Sequence, residues 1–173
     1  ERLGVSQDYG RIEYAYHLMA RAAGITMSPC RLLEERGRAH FMTKRFDRDG
    51  NAKHHVQTLC GLAHLDYRQK ATHDVSQLLL TIDRLGLGYD AKEEAFRRVA
   101  FNVIAANCDD HSKNVSFLLR EGGAWELAPA YDVVVTSIFP GLDQTFALAF
   151  GGTTHPAALT AHTLRVAARE FNV

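Results

Sequence analysis

Asn107-Cys108-Asp109-Asp110-His111-Ser112-Lys113-Asn114, running into the apolar segment Val115 to Leu119, decides how this chain is read. These mostly polar residues stand between a helical pattern and a strand pattern, and loops held by rigid elements are where reactive groups are usually placed. Asp109 and Asn114 have four residues between them, so one loop aims two oxygens at different tasks. A carboxylate accepts the proton of a hydroxyl, while a carboxamide oxygen is a hard ligand for a divalent cation. A second carboxylate must come from elsewhere, and Asp132 in Pro129-Ala130-Tyr131-Asp132-Val133 follows after one more strand pair. Asp109, Asn114 and Asp132 together make a hard-oxygen set suited to magnesium and phosphate.

Working outward, Phe96, Val99, Ala100 and Val103 form an apolar face that leads into Asn107, with Asp90 and Glu93 predicting the N-terminal cap of that helix. Val75, Leu78, Leu79, Ile82 and Leu85 make one stripe, which predicts a helix over 73–85 stopped by Gly86. A short helix is expected over 56–64. Ile12, Tyr16, Met19 and Ala23 recur at helical spacing, predicting a helix over 9–23 with Gly24 as a left-handed cap. Alternation from Cys30 to Phe46 predicts a hairpin turned at Arg36-Gly37, its second strand covering 39–46 and ended by the polar residues 47–51. Beyond the polar loop, 115–119 and 124–127 read as a hairpin closed around Glu121-Gly122-Gly123. Residues 146–150 predict a further strand, and Leu164, Ala167, Ala168 and Phe171 a closing helix. No repeat, low-complexity tract or clear linker interrupts this order. It predicts an α+β architecture in which helices dominate, with a helix and hairpin in about 1–50 and a helical lobe in about 51–173.

Composition bounds the function class. A chain of 173 residues suffices for one domain or one lobe of a larger protein. Hydrophobic residues at 46% and charged residues at 23% match a soluble globular domain, and no apolar run is long enough to cross a bilayer. Lys plus Arg and Asp plus Glu both total 20, so the overall charge demands neither nucleic acid nor an anionic membrane. Cys30, Cys60 and Cys108 are odd in number and widely spaced, which argues against a disulfide framework or zinc site and for a reducing cytosol.

The D-x-x-x-x-N spacing is that of the protein-kinase catalytic loop. More specifically, Cys108 to Asn114 resembles the D-x-H-x-K-N loop of HipA-like serine/threonine kinases, and Pro129 to Val133 resembles their P-x-Y-D-hydrophobic motif. Lys44-Arg45-Phe46-Asp47-Arg48 looks like the family's R-F-D-R segment at the hinge, and Ile12 to Ile25 like the helix before it. The resemblance implies a protein-kinase-like C-terminal lobe carrying a hinge hairpin from the N-terminal lobe. It implies ATP and Mg2+ as cofactors, Asp109 as the catalytic residue, and Asn114 and Asp132 as magnesium ligands. His111, Ser112, Lys113, Asn114, Tyr131 and Asp132 would line the nucleotide, and the backbone of Lys44, Arg45 and Phe46 would meet the adenine. The family often has Glu where Lys44 stands, which a backbone role tolerates.

By the same resemblance, a glycine-rich phosphate loop and a strand ending in an ATP lysine are expected before the first helix, and Glu1 to Gly10 supplies neither. The expectation is a chain that starts downstream of them and is weak or inactive as a kinase by itself. Glu13 would be the acidic partner of that lysine, or else a plain surface residue. The family further implies a cytoplasmic bacterial toxin whose partner is a DNA-binding antitoxin.

Other readings stand beside this one. A remnant that binds nucleotide or antitoxin without catalysis shares the same motifs. His73-Asp74 with His54-His55 and Asp109 would suit a metal-dependent phosphohydrolase, although histidines at helix starts more often serve as surface or capping groups. Gly86-Leu87-Gly88-Tyr89-Asp90-Ala91 matches a dinucleotide-binding pattern but follows a helix, so it reads as a turn. Cys108 and Trp125 read as packing groups. Arg97, Arg98, Arg165 and Arg169 read as a solvated helix surface before a basic docking face.

Overall fold

The computed structural model describes residues 9–69, 73–134 and 148–149, together with 160, 162, 165, 166, 168 and 169. Among these, Tyr9–Ala22 forms α1. Its end is a Schellman cap: Ile25 N–H donates to the Ala20 carbonyl at 3.0 Å and Gly24 N–H to Arg21 at 3.0 Å, with Gly24 at φ +81°. Glycine takes that left-handed conformation without the Cβ penalty. The buried face of α1 is only partly the expected one: Tyr16 packs edge-on against Phe101, as the spacing predicts. Met19 is 48% exposed and Ala23 is also on the outside, whereas His17 and Ala20 are buried. The hairpin that follows sets this rotation. A Cβ on Gly10 would sit 2.2 Å from the Ala39 carbonyl oxygen, so α1 lies directly on the backbone of that hairpin.

The hairpin pairs β1 (Cys30–Glu35) with β2 (Arg38–Thr43), Glu35 opposite Arg38. Arg36 and Gly37 turn it at φ +49° and +77°, the pair of positive angles that matches the twist of two-residue hairpins. The second strand stops at Thr43 rather than Phe46: Lys44 N–H still donates in register to the Pro29 carbonyl at 2.9 Å, but proline has no N–H to return the bond, and 44–47 runs on as a connector. A small hairpin of β3 (Arg48–Asp49) and β4 (Ala52–Lys53) follows.

The expected helix over 56–64 is half strand. His55–Thr58 is β5, and only Leu59–Leu62 is helical, as α2. β5 is drawn into a three-stranded antiparallel sheet by β7 (Ser116–Leu119), with Val56 opposite Leu118, and β8 (Trp125–Leu127) completes it. A central strand is covered on both faces, which explains why Ser116, Phe117 and Leu118 are all buried in sequence.

The helical part comprises α3 (Ser76–Arg84) and α4 (Gly88–Ile104). Val75, Leu78, Leu79 and Ile82 pack with Ala95, Val99, Leu59 and Phe117 in the main core, and Trp125 borders it as expected. Asp90 does not cap α4. The helix already begins at Gly88 after Leu87, and Asp90 lies in its first turn, where its charge suits the positive end of the helix. His73–Asp74 is a short strand, β6, paired in parallel with β9 (Leu148–Ala149), the described part of the strand expected over 146–150. In the closing helix expected near 164–171, Ala168 is helical, and Leu164, Ala167 and Phe171 lie outside the described residues. The architecture is α+β, richer in short strands than anticipated.

Two substitutions probe this framework. Phe117→Ala, in a strand with no exposed side-chain surface at that position, is expected to cost about 3–5 kcal/mol by urea denaturation. Gly10→Ala forces α1 off the hairpin and is expected to cost about 1–3 kcal/mol by the same measurement.

Candidate functional site

The 107–114 loop is held at both ends. Behind it, Asn107 is buried and ties back to the last turns of α4, its N–H to the Asn102 carbonyl at 2.9 Å and its Nδ2 to Asn102 Oδ1 at 3.0 Å. Asn107 Oδ1 then accepts Asp109 N–H at 3.2 Å. Ahead of it, the first amides of α2 take up loop carbonyls: Leu59 N–H donates to Val115 at 2.8 Å and Cys60 N–H to Ser112 at 3.1 Å. Helix N-termini leave such donors unpaired, so the loop and α2 complete each other.

Within the loop, Asn114 N–H donates to the His111 carbonyl at 2.8 Å and Asn114 Nδ2 to the Asp109 carbonyl at 2.8 Å. The second bond needs the amide nitrogen on the loop side, which turns Oδ1 outward. The Asp109 side chain is 51% exposed, with Oδ1 3.6 Å from His111 Nε2.

Tyr131 connects this loop to the second motif. Its hydroxyl donates to the Lys113 carbonyl at 2.6 Å and lies 2.6 Å from Ser116 Oγ. Burial pushes the phenol up from its ordinary range, against the opposing bond from Ser116. Ala130 is fixed on the other side, its N–H to the Thr26 carbonyl at 2.8 Å beside a parallel bridge between Met27 and Ala130. Asp132 follows at φ +55°, a left-handed conformation uncommon outside glycine. Such strain persists only where neighbouring structure enforces it, and it concentrates at functional sites.

Three cavities meet along Ala130 and Tyr131. The largest, about 420 Å³, lies between Lys44–Asp47 of the connector and Val56, Thr58 and Ser116 of the sheet, and Phe46 faces Tyr131 with ring centroids 5.7 Å apart. Asp47 is clamped there by Arg45 (2.8 and 2.7 Å) and by Arg48, and these bonds, Arg45 first, hold its carboxyl below the usual carboxylate range. A second cavity of about 190 Å³ joins Glu13 and His17 of α1 to Thr43 and Asp132. Burial, then the charge of Asp132, raises the Glu13 carboxyl. Burial, then Arg21, lowers His17. The third, about 40 Å³, is lined by Asn114, Asp132, Asp110 and Arg98.

The sequence candidates therefore fall into groups. Asn114 and Asp132 share one cavity, and Lys44, Arg45, Phe46 and Tyr131 share the adjoining one. Asp109 lines none of the three cavities and is joined to Asn114 through its own carbonyl. His111, Ser112 and Lys113 line none of the three. Ser112 is 1% exposed and serves through its backbone, while Lys113 Nζ lies 4.3 Å above the ring of Tyr67. Cys108 is buried, consistent with packing.

Asp110, His17 and Arg98 were not singled out for this place. The i, i+4 spacing of Glu13 and His17 on one helix was the available signal for His17. Arg97 and Arg98 do not form a solvated basic surface. Arg98, with its side chain 12% exposed, bonds Glu94 at 2.9 Å, and Arg97 reaches Glu93 at 2.7 Å and Glu94 at 3.2 Å. Glu94 also accepts Thr26 N–H at 3.0 Å, so this pairing ties α4 to the segment beside Ala130.

The phosphohydrolase arrangement finds no support. Among the described residues, no three His, Cys, Asp or Glu side chains gather as a metal cluster. Asp74 instead accepts Ser76 N–H at 2.8 Å at the start of α3, and His55 packs edge-on against Trp125. Among the described residues, no helix is long and apolar enough to cross a membrane.

Known proteins share this sequence pattern and fold. The serine/threonine-protein kinase toxin HipA of Shewanella oneidensis is 31% identical over 74 residues, 43% of this chain and 17% of that protein. Y4mE of Sinorhizobium fredii is 24% identical over 165 residues, 90% of this chain and 39% of the relative. The chain thus spans less than half the length of the curated relatives it matches. Among solved structures, Shewanella oneidensis HipA, in a complex with HipB and operator DNA, superposes with a TM-score of 0.78 at 17% identity, over 94% of this chain and 43% of that one. The Helicobacter pylori proinflammatory kinase CtkA superposes with a TM-score of 0.55 at 16% identity, over 72% and 45%. These likenesses establish a kinase-like fold. With the HipA-like C-terminal domain model matching residues 3–172, the chain belongs to the HipA-like family.

Proposed function

We propose that this chain is the nucleotide-binding and catalytic part of a serine/threonine-protein kinase of the HipA type. The observation that carries the reading is a set of adjoining cavities that share Ala130 and Tyr131. One of them is lined by the Lys44–Asp47 connector and another by Asn114, Asp110 and Asp132. The 420 Å³ cavity is apolar on its Val56, Ala130 and Tyr131 sides and borders connector backbone, as an adenine requires.

The residues present also fit a magnesium ion. Asn114 Oδ1 faces away from the loop, Asp132 is fixed by its strained backbone, and both are hard oxygen donors. Magnesium supplies neutralisation of phosphate charge when bound. Asp109, solvent-facing beside the loop, accepts the proton of an incoming serine or threonine hydroxyl. The adenine lies against Lys44, Arg45 and Phe46, and Tyr131 walls it from the sheet.

Lys44 is the one lysine among the described residues lining these three cavities, and it sits at the connector end. Arg45 and Arg98 also line them but are already paired with Asp47 and Glu94, so a further cation is proposed for the α- and β-phosphates. Without such a cation this chain is read as binding nucleotide and transferring phosphate weakly, since the reaction depends on positioning and electrostatics. The proposed setting is the cytosol, in a toxin whose partner is a DNA-binding antitoxin. The presence of HipB and operator DNA with Shewanella HipA favours that partner.

Two variants test the assignment. Asp132→Ala is expected to weaken Mg·ATP binding by about tenfold or more in calorimetry, and equal affinity would remove Asp132 from the site. In full-length protein, Asp109→Asn is expected to lower kcat about 10²–10⁴-fold while nucleotide affinity stays within about twofold. Radiolabelled phosphate transfer to a serine-containing acceptor provides the measurement.

A further inference from the structure

Tyr67 lies outside every segment assigned a role above, yet two side chains of the 107–114 loop converge on it. Lys113 Nζ stands 4.3 Å from its ring centroid, and the His111 ring meets it edge-on with centroids 6.0 Å apart. An ammonium over an aromatic face is held by the ring quadrupole, and an edge-to-face ring pair is a favoured geometry. His111 in turn places Nε2 3.6 Å from Asp109 Oδ1, while its Nδ1 is buried with no hydrogen-bond partner. No bond from Nδ1 fixes the imidazole, so its orientation rests on the ring beside it.

Tyr67 is 40% exposed, and the turn that carries it is held by its neighbours. Asp66 Oδ1 accepts Arg68 N–H at 3.2 Å and Arg68 Nε at 3.0 Å, and Gln69 N–H closes the turn onto the Asp66 carbonyl at 3.0 Å. Leu65 N–H bonds the Cys60 carbonyl at 2.9 Å, and the Cys60 N–H is the donor that holds Ser112. One segment therefore grips the loop twice, through backbone at its base and through an aromatic ring at its side.

We propose that Tyr67 is a positioning residue for Asp109, an inference that rests on the phosphoryl-transfer reading. Its ring keeps Lys113 and His111 in place, and His111 keeps the Asp109 carboxylate facing the incoming hydroxyl. Tyr67 touches no reacting atom. The ring matters and the phenol does not, because both loop contacts are made to the aromatic system.

The test compares Tyr67→Phe and Tyr67→Leu in the full-length protein. It reads kcat, KM for ATP and for acceptor, and the NMR shift of the Lys113 ε-methylene, which a ring 4.3 Å from Nζ displaces upfield. Wild type and Tyr67→Phe are expected to show that displacement with equal kcat. Tyr67→Leu is expected to lose it and to drop kcat about tenfold, with KM for ATP within about twofold. Unchanged kcat in Tyr67→Leu, or a loss confined to acceptor KM, overturns the proposal, the latter making Tyr67 a substrate contact. No displacement in wild type overturns the Tyr67 contact and with it the positioning role, and leaves the phosphoryl-transfer reading untouched. An intact displacement in a wild type that transfers no phosphate overturns the phosphoryl-transfer reading, and the positioning role with it.

Discussion

Two backbone hydrogen bonds, from Leu59 to Val115 and from Cys60 to Ser112, seat the 107–114 loop on which the candidate chemistry depends. They satisfy donors that the start of α2 would otherwise leave bare, and they seat the polar loop where buried carbonyls have no water to bind. Because β5 leads straight into α2, the same segment that joins the sheet also carries the loop's anchor. The loop is thus fixed by a part of the chain some fifty residues away, with Asn107 and Tyr131 closing its other sides.

Charge is arranged around that anchor with different consequences on each side. Glu94 gathers Arg97, Arg98 and the Thr26 amide, so positive groups near the cleft are already neutralised and act as struts. Glu13 and Asp132 are different. They face one cavity as two carboxylates, and burial together with their mutual repulsion raises Glu13. Carboxylates arranged so leave a net demand for positive charge, which is the condition a cation-dependent phosphate site needs. At the far end the Arg45–Asp47–Arg48 clamp is self-contained and shapes the connector, leaving its backbone beside the largest cavity.

Where local reading missed, a tertiary contact had the larger effect. Residues 56–58 carry a pattern short enough to suit helix or strand, and pairing with the buried strand β7 settled it as strand. Met19 and Ala23 sit at good helical spacing, but close backbone contact at Gly10 turned α1 so that His17 and Ala20 face inward. Asp90 looked like a cap because of its type and its distance from Glu93, yet the helix had already started two residues earlier. Arg98 looked like surface charge and is almost enclosed by Glu94 and its surroundings.

The sequence by itself determined the parts whose cause is local: the Gly24 cap, the Arg36-Gly37 turn, the apolar stripe of α3, the hairpin after the loop, and the D-x-x-x-x-N spacing with Asp132 beyond it. Those follow from backbone conformational preference and side-chain periodicity, which a few neighbouring residues specify. Only the tertiary structure decided that Asn114 and Asp132 share a cavity, that Asp110 joins them while Lys113 turns to Tyr67, and that Glu13 faces Asp132. Such pairings join residues from fewer than twenty to more than a hundred positions apart. Their geometry depends on how α1, the hairpin and α4 pack together, and no short window of sequence contains that information.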